Sequence, residues 1–445
     1  MKIRQPHGAG TFLSPMIKRT GMSLLLCTSL AQANTEVSFK SDIAPILLEK
    51  CQSCHGPKKA KGNYRLDTFA RALEPGAEEL LYRVATDDED ERMPPESDPL
   101  EPAQIDLIKK WVAAGAKFDG KDPKASLASI LPGVSHPPPP ETYPRPIPVT
   151  ALEFTPDNQH LLVSGYREVT IWSMENPSLT RRLQNLPERI HSIHFHPKDS
   201  NQIAIAGGIP GRLGEVRILD FTTGDILQTL HKSPDLCFSA RYSPDGSQLA
   251  TCGTDGTVRI FNTETWDEDI RFSNHSDWVN RVTWKPNGTQ VASASRDHSA
   301  KVFDLVKKKR IATYTGHDRS VYAVHFHPTA DHIIFSGAAD GKFMRWRITD
   351  GKTEREYPKQ AGTLYQILSL PNSRQLITAS PNPSIPVYKL EDPGQRKRLG
   401  RDLPGTLSLA VSPDSQLIAS GDRQGQVHIW NLNQEEATSK FLAKP

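Results

Sequence analysis

The sequence predicts a multidomain chain: a small helical unit, then a closed all-β ring of about seven four-stranded units. Three observations carry this prediction. Apolar residues recur at helical spacing on both sides of a Cys-x-x-Cys-His segment, Cys51 to His55. A proline-rich stretch follows, with Pro137 to Pro140 consecutive and Pro144, Pro146 and Pro148 close behind. From there one phrase returns every ~42 residues: an alternating strand, a proline turn, a small-residue strand and a third strand ending in an aromatic.

The bulk properties set limits. A chain of 445 residues is too long for one ordinary core. A formal net charge of +3 gives no ground for nucleic-acid or membrane-surface binding.

The first segment reads as an address. Lys18 and Arg19 are a basic start, Met22 to Leu30 a short apolar run, and Ala31-Gln32-Ala33 a small-x-small cleavage site. Residues 1–33 are therefore expected to be a secretory signal peptide. The competing reading is a membrane anchor, but the run is roughly half a bilayer span. The residues before Met16 do not resemble a signal start, so either Met1 or Met16 begins translation. Cys27 follows Leu26, which is too large for a lipoprotein cleavage site. The mature chain is expected outside the cytoplasm, periplasmic or extracellular, with no integral membrane span after cleavage.

Cys51-Gln52-Ser53-Cys54-His55 is the sharpest signal. Two cysteines about one helical turn apart can each form a thioether to one haem vinyl group. The histidine after the second cysteine is then set to ligate the iron. A structural zinc site needs four ligands, and between Asn34 and Pro148 the sequence adds only His136 and no further cysteine. A redox dithiol would not need His55, and the strand–helix context of such a motif is absent. Met93, in Arg92-Met93-Pro94-Pro95, is the only methionine between Asn34 and Trp172. From the residues alone it is either the sixth iron ligand or a gap-filling core side chain.

The flanks fit a helical wrapper. Phe39, Ile43, Ile46 and Leu47 precede the motif at helical spacing, with Ser41 or Asp42 as cap. Ile105, Ile108, Trp111 and Val112 repeat the pattern, and Gly115 can end that helix. Lys58, Lys59 and Lys61, and Asp87 to Glu91, are either solvated loop charge or a steering field for a redox partner.

These residues resemble a known family. Asp42 to Leu47, Cys51 to Lys59, Arg65-Leu66-Asp67-Thr68, Leu81-Tyr82-Arg83, Arg92 to Pro95 and Trp111 to Ala116 are similar to the single-haem cytochrome c domain of exported planctomycete and verrucomicrobial proteins. The resemblance covers residues 34–120. It implies an all-α, class I-like cytochrome c domain with one covalent haem c per chain. In it Cys51 and Cys54 give the thioethers, His55 is the proximal iron ligand and Met93 the distal one.

Residues 121–147 read as a linker, a semi-rigid spacer of polyproline II character. The repeats occupy residues 148–445. Copies run from Ala151 to Trp172, Ile193 to Leu219, Phe238 to Phe261, Val282 to Phe303, Val324 to Trp346 and Leu409 to Trp430. A degenerate copy spans Ile367 to Tyr388, where Pro381, Pro383 and Pro386 are expected to break the third strand. The spacing is that of a propeller blade. His317, Ser336, Asp340 and Trp346, and His275, Ser293, Asp297 and Phe303, resemble the WD family, which implies hydrogen bonds locking neighbouring strands. Cys237 and Cys252 either pair or are buried small residues.

The expected function is single-electron transfer to a redox partner protein, with the seven-bladed propeller as a platform for a protein or peptide ligand. The alternative is a propeller oxidoreductase feeding electrons to the haem. No carboxylate and asparagine cluster for a calcium–quinone site, no second haem motif and no Gly-x-Gly-x-x-Gly loop supports it. An electron carrier and binding module is therefore expected rather than a catalyst.

Overall fold

A computed structural model describes residues 37–445 except 57–58, 96–98, 121, 125–126, 131–134, 372–373, 393 and 395. The expected signal peptide and Lys58 lie outside the described residues.

The N-terminal part is built of short helices. One helical run passes through Phe39–Ile43, Ala44–Ile46, Leu47–Cys51 and Gln52–His55, alternating π and α winding. Its cap is Ser38, one turn earlier than expected. The Ser38 hydroxyl accepts from the Ser41 amide at 2.9 Å, and Asp42 accepts from the Ser38 amide at 2.8 Å. The helix Pro102–Ala113 starts with reciprocal bonds between Glu101 and Gln104, and Gly115 follows its end at φ 90°. The two helices meet where the Phe39 and Trp111 rings lie 5.3 Å apart. Around them Ile43, Leu47, Leu66, Leu80 and Ile108 are sealed from water. Phe69–Ala72 and Ala77–Ala85 are further helices that the periodicity did not single out. Leu127, within the expected linker, is fully buried in this same core, and its amide donates to Asp67 O at 2.8 Å.

The second part is a seven-bladed propeller. Seven four-stranded antiparallel sheets each take four consecutive strands. The innermost strands are Leu152–Phe154, Arg189–Phe195, Cys237–Tyr242, Val279–Trp284, Val321–Phe326, Gln366–Ser369 and Ser408–Val411. The turn after the inner strand has a physical cause. Asp157, Asp245, Asn287 and Asp414 each accept, through the side chain, the amide two residues on, at 2.9 to 3.1 Å. The residue between takes positive φ: Asn158 at 60°, Gly246 at 77°, Gly288 at 73° and Ser415 at 61°.

The sixth blade departs from expectation. Its third strand, Ile385–Lys389, is intact despite Pro386. Pairing to the second strand stops at Val387, so the missing amide of Pro386 interrupts no registered pair on that side.

Residues 136–149 form a strap on the ring rather than a free spacer. The His136 amide donates to Asn185 Oδ1 at 2.8 Å, and its ring Nε2 meets Glu215 Oε1 at 2.6 Å. Tyr143 donates its hydroxyl to buried Glu168, which Arg182 also holds. Val149 then joins the first blade to the seventh. Its amide donates to Asp422 O at 2.9 Å, and its carbonyl accepts from Ser408 Oγ at 2.8 Å.

Candidate functional site

The helical run ends on Cys51, Cys54 and His55, so three chemically distinctive side chains share about one turn. Neither sulfur is in a disulfide among the described residues; Cys51 is buried and Cys54 half-buried. Burial, and then the neighbouring Cys54, push the Cys51 thiol up to about 11, so it is protonated at neutral pH. His55 Nδ1 lies 3.1 Å from the Tyr64 carbonyl. A carbonyl only accepts, so Nδ1 carries the hydrogen and Nε2 keeps a lone pair for a metal. The His55 backbone is held as well: its carbonyl accepts from the Leu66 amide at 2.7 Å, and it pairs with Ala60 across an antiparallel bridge. The Tyr64 hydroxyl donates to Ala72 O at 2.7 Å, which fixes the residue that fixes His55.

Met93 sits half-buried in a loop tied to the helix Ala77–Ala85 through its amide, which donates to Arg83 O at 2.8 Å. Leu80 and Val84 of that helix share an apolar cluster with Cys51. The donor set of two cysteine thiols, an imidazole with the right tautomer and a thioether fits a covalently attached haem. It does not make a four-ligand zinc centre. Among the described residues no group of three or more His, Cys, Asp or Glu side chains is placed to hold a bare metal ion. Asp87 to Asp90 are exposed, as a solvated loop requires.

In the ring, the two histidine sets form as expected. His317 Nε2 lies 2.8 Å from Ser336 Oγ and Nδ1 3.3 Å from Asp340, while Trp346 Nε1 donates to the same Ser336 hydroxyl at 3.2 Å. His275 bonds Asp297 at 2.7 Å and Ser293 at 2.6 Å, with Lys301 Nζ 3.0 Å from Asp297. A third set, unforeseen, joins His231 to Thr251 at 2.7 Å and to Asp255 at 3.3 Å. Its signal was weak because the histidine stands at the end of the preceding blade's last strand. Cys237 and Cys252 are both buried free thiols, and Cys237 Sγ donates to His231 O at 3.3 Å.

The two ends of the central channel differ. Where the inner strands begin, aromatic rings gather: His191 and Phe238 at 5.2 Å, Phe238 and Trp278 at 5.8 Å, Tyr322 and Tyr365 at 6.0 Å. Trp278 is 36% exposed and carries the Arg296 guanidinium 4.6 Å above its ring. Where the inner strands finish, polar side chains enclose a cavity between Glu153, Arg241, His325 and Ser369.

Comparison with known proteins agrees with this division. The Planctomycete cytochrome C family matches residues 51–97. The WD domain, G-beta repeat family matches 224–262, 268–304, 308–347 and 401–431. The serine-threonine kinase receptor-associated protein of Dictyostelium discoideum is 31% identical over 115 residues, which is 25% of this chain and 36% of that protein. The nuclear distribution protein PAC1 of Komagataella phaffii is 25% identical over 307 residues, 64% of this chain and 60% of that protein. The Gallus gallus receptor-associated protein is 29% identical over 117 residues, 26% of this chain and 31% of its own length. The chain thus spans between about a third and three fifths of these relatives. The ring is a WD-repeat propeller, an architecture for protein interaction. Among the described residues no helix is long and apolar enough to cross a membrane.

Proposed function

We propose that this chain, which joins a planctomycete cytochrome c match to a seven-bladed WD-repeat propeller, is an exported single-electron carrier docked to its partner through the ring. The observation that carries the reading is the hydrogen bond from His55 Nδ1 to the Tyr64 carbonyl at 3.1 Å. It leaves Nε2 as the iron-binding nitrogen and orients the ring. Cys51 and Cys54 would hold the porphyrin by thioethers, and Met93 would give its sulfur to the opposite face. The bound haem supplies an Fe(III)/Fe(II) couple. With His55 and Met93 both holding the iron, the group would serve single-electron transfer.

The Tyr64 and Leu66 backbone contacts hold His55 at its ring and at its carbonyl, which would keep its Nε2 aimed at one place. The finer assignment, a class I-like all-α cytochrome c domain, rests on the helical run, the Phe39–Trp111 contact and the family match. Export is supported by the apolar run Met22 to Leu30 and the small residues Ala31 and Ala33. The aromatic rim with Trp278 and Arg296 supports a protein or peptide ligand at that end of the channel.

The test is expression in a host with c-type haem maturation. A c-type reduced spectrum is expected, from haem that resists acid extraction. Oxidised protein should show a weak methionine–iron band at about 700 nm that Met93→Ala abolishes. Haem that extracts freely, or none, overturns the proposal. An unchanged band in Met93→Ala overturns that ligand alone.

A further inference from the structure

The inner strands of a propeller crowd their side chains towards the axis, so a charge placed there has few partners. Arg241 and Arg281 stand on neighbouring inner strands, Cys237–Tyr242 and Val279–Trp284. Neither guanidinium forms an ion pair or a side-chain hydrogen bond among the described residues. The Arg281 Nε is fully buried with no partner. A guanidinium nitrogen buried without a partner is costly, and an anion beside it would offset the charge.

The neighbouring groups do not meet that need. Gln366 spends its amide on the backbone of Leu409, donating at 3.1 Å and accepting at 3.1 Å. His325 Nε2 lies 3.0 Å from Ser369 Oγ. Glu153 is the one carboxylate lining the cavity. Desolvation lifts it to about 7 against the opposing pull of Arg241 and the Phe195 amide, so it is only partly ionised at neutral pH. Burial, Arg241, His327 and Arg281 together hold His325 down near 4, so it adds no charge at neutral pH. Arg241 lines this space opposite a single incompletely ionised acid, and Arg281, outside the lining, adds a second positive charge that acts on Arg241 and His325. The space between Glu153, Arg241, His325 and Ser369 is about 170 Å³. A water takes about 30 Å³ of liquid, so there is room for a small polyatomic ion.

We propose that this cavity, at the end of the channel away from the aromatic rim, binds a small oxyanion of the phosphate or carboxylate type, held by Arg241, with Arg281 adding positive charge from the neighbouring inner strand. Arginine suits the task because its planar fork meets two oxygens at once. Ser369 can add a hydroxyl hydrogen bond. Glu153 opposes binding while it is ionised.

The experiment is thermal unfolding of the full chain in rising sodium phosphate, with sodium acetate and ionic-strength-matched sodium chloride as separate arms. Wild type should show a saturable rise of the propeller's midpoint with phosphate, acetate or both, and none with chloride. The more effective salt identifies the anion class. Arg241→Gln should weaken the response about tenfold, and Arg281→Met, which removes only the more distant charge, should weaken it less. Glu153→Gln should strengthen it, which keeps the test decisive if an arginine variant does not fold. Equal responses in wild type and variants, or none to either oxyanion, would overturn the proposal.

Discussion

His136 Nε2 lies 2.6 Å from Glu215 Oε1, with 2% and 0% of the two side chains exposed. The same carboxylate oxygen accepts from Arg217 Nε at 2.6 Å. In the next three blades a histidine of the ring bonds a carboxylate of the ring. In the second blade the histidine comes from the strap that precedes the ring. His136→Ala should therefore destabilise the propeller by about 1.5–3 kcal/mol, the range for hydrogen bonds to charged groups. Glu215 Oε2 already lacks a partner, which removes any easy compensation. Urea unfolding should show a lower midpoint at unchanged slope. An unchanged midpoint would mean the strap merely lies on the ring.

Asp297 gathers His275, Ser299 and Lys301 in the fourth blade. Lys301 is 8% exposed, so Asp297→Ala strands a buried ammonium. The loss should be about 3–5 kcal/mol. Adding Lys301→Met should recover part of it, because the unpaired charge is then gone. If the double variant is no more stable than Asp297→Ala, stranded charge is not the cause.

Acid should weaken the ring through its inner histidines. Burial, and next Arg189, hold His191 near 4, and His325 is near 4 as well. Burial also pushes His194 well below its usual range. Each binds a proton more readily unfolded than folded, so its contribution is intact above about 6.5 and is lost as pH falls towards 4. Glu153 runs the other way. Its raised value near 7 gives stability that is full below about 4.5 and lost as pH rises through 7. Three histidines against one glutamate leave net destabilisation between pH 6.5 and 4.5. Glu153→Gln removes the opposing contribution and should steepen that slope in pH-dependent urea midpoints. A slope unchanged by the substitution would show that Glu153 does not titrate as a buried acid.

Tyr64→Phe deletes the bond to Ala72 O and leaves the ring and the carbonyl that holds His55. The expected cost is about 1 kcal/mol to the N-terminal part, read, if the chain carries the proposed haem, by denaturation at haem wavelengths. The spectrum itself should not change, since the ligand set is intact. A changed spectrum at low denaturant would show that the Tyr64 hydroxyl also governs iron ligation.

Much of this architecture was legible in the sequence because its causes are local. The cysteine spacing is a helical turn. The blade turns need a side-chain acceptor followed by a residue tolerant of positive φ, and Asp157-Asn158 and Asp245-Gly246 declare that in two letters. Trp346 and Trp430 mark third strands for the same reason, as large side chains that end buried. What sequence reading missed depends on closure. His136 looked like a stray linker residue because Glu215 is 79 positions away. Arg241 comes beside Glu153 and Ser369 only once strands far apart in sequence close into a ring, so no local pattern marks it. Ser38 outranked Ser41 as a cap because Asp42 could reach back to it.

Every blade is one uninterrupted piece of chain, so the first and seventh meet without exchanging a strand. Their join consists of the Val149 contacts with Asp422 and Ser408 and the apolar side chains around them. Mechanically, that is a clasp rather than a weld. A pull between the N-terminal part and the C-terminus loads the strap at one end and the outer strand Ser439–Leu442 of the seventh blade at the other. The few residues around position 149 are then what keeps those two loads from parting the ring between its first and seventh blades.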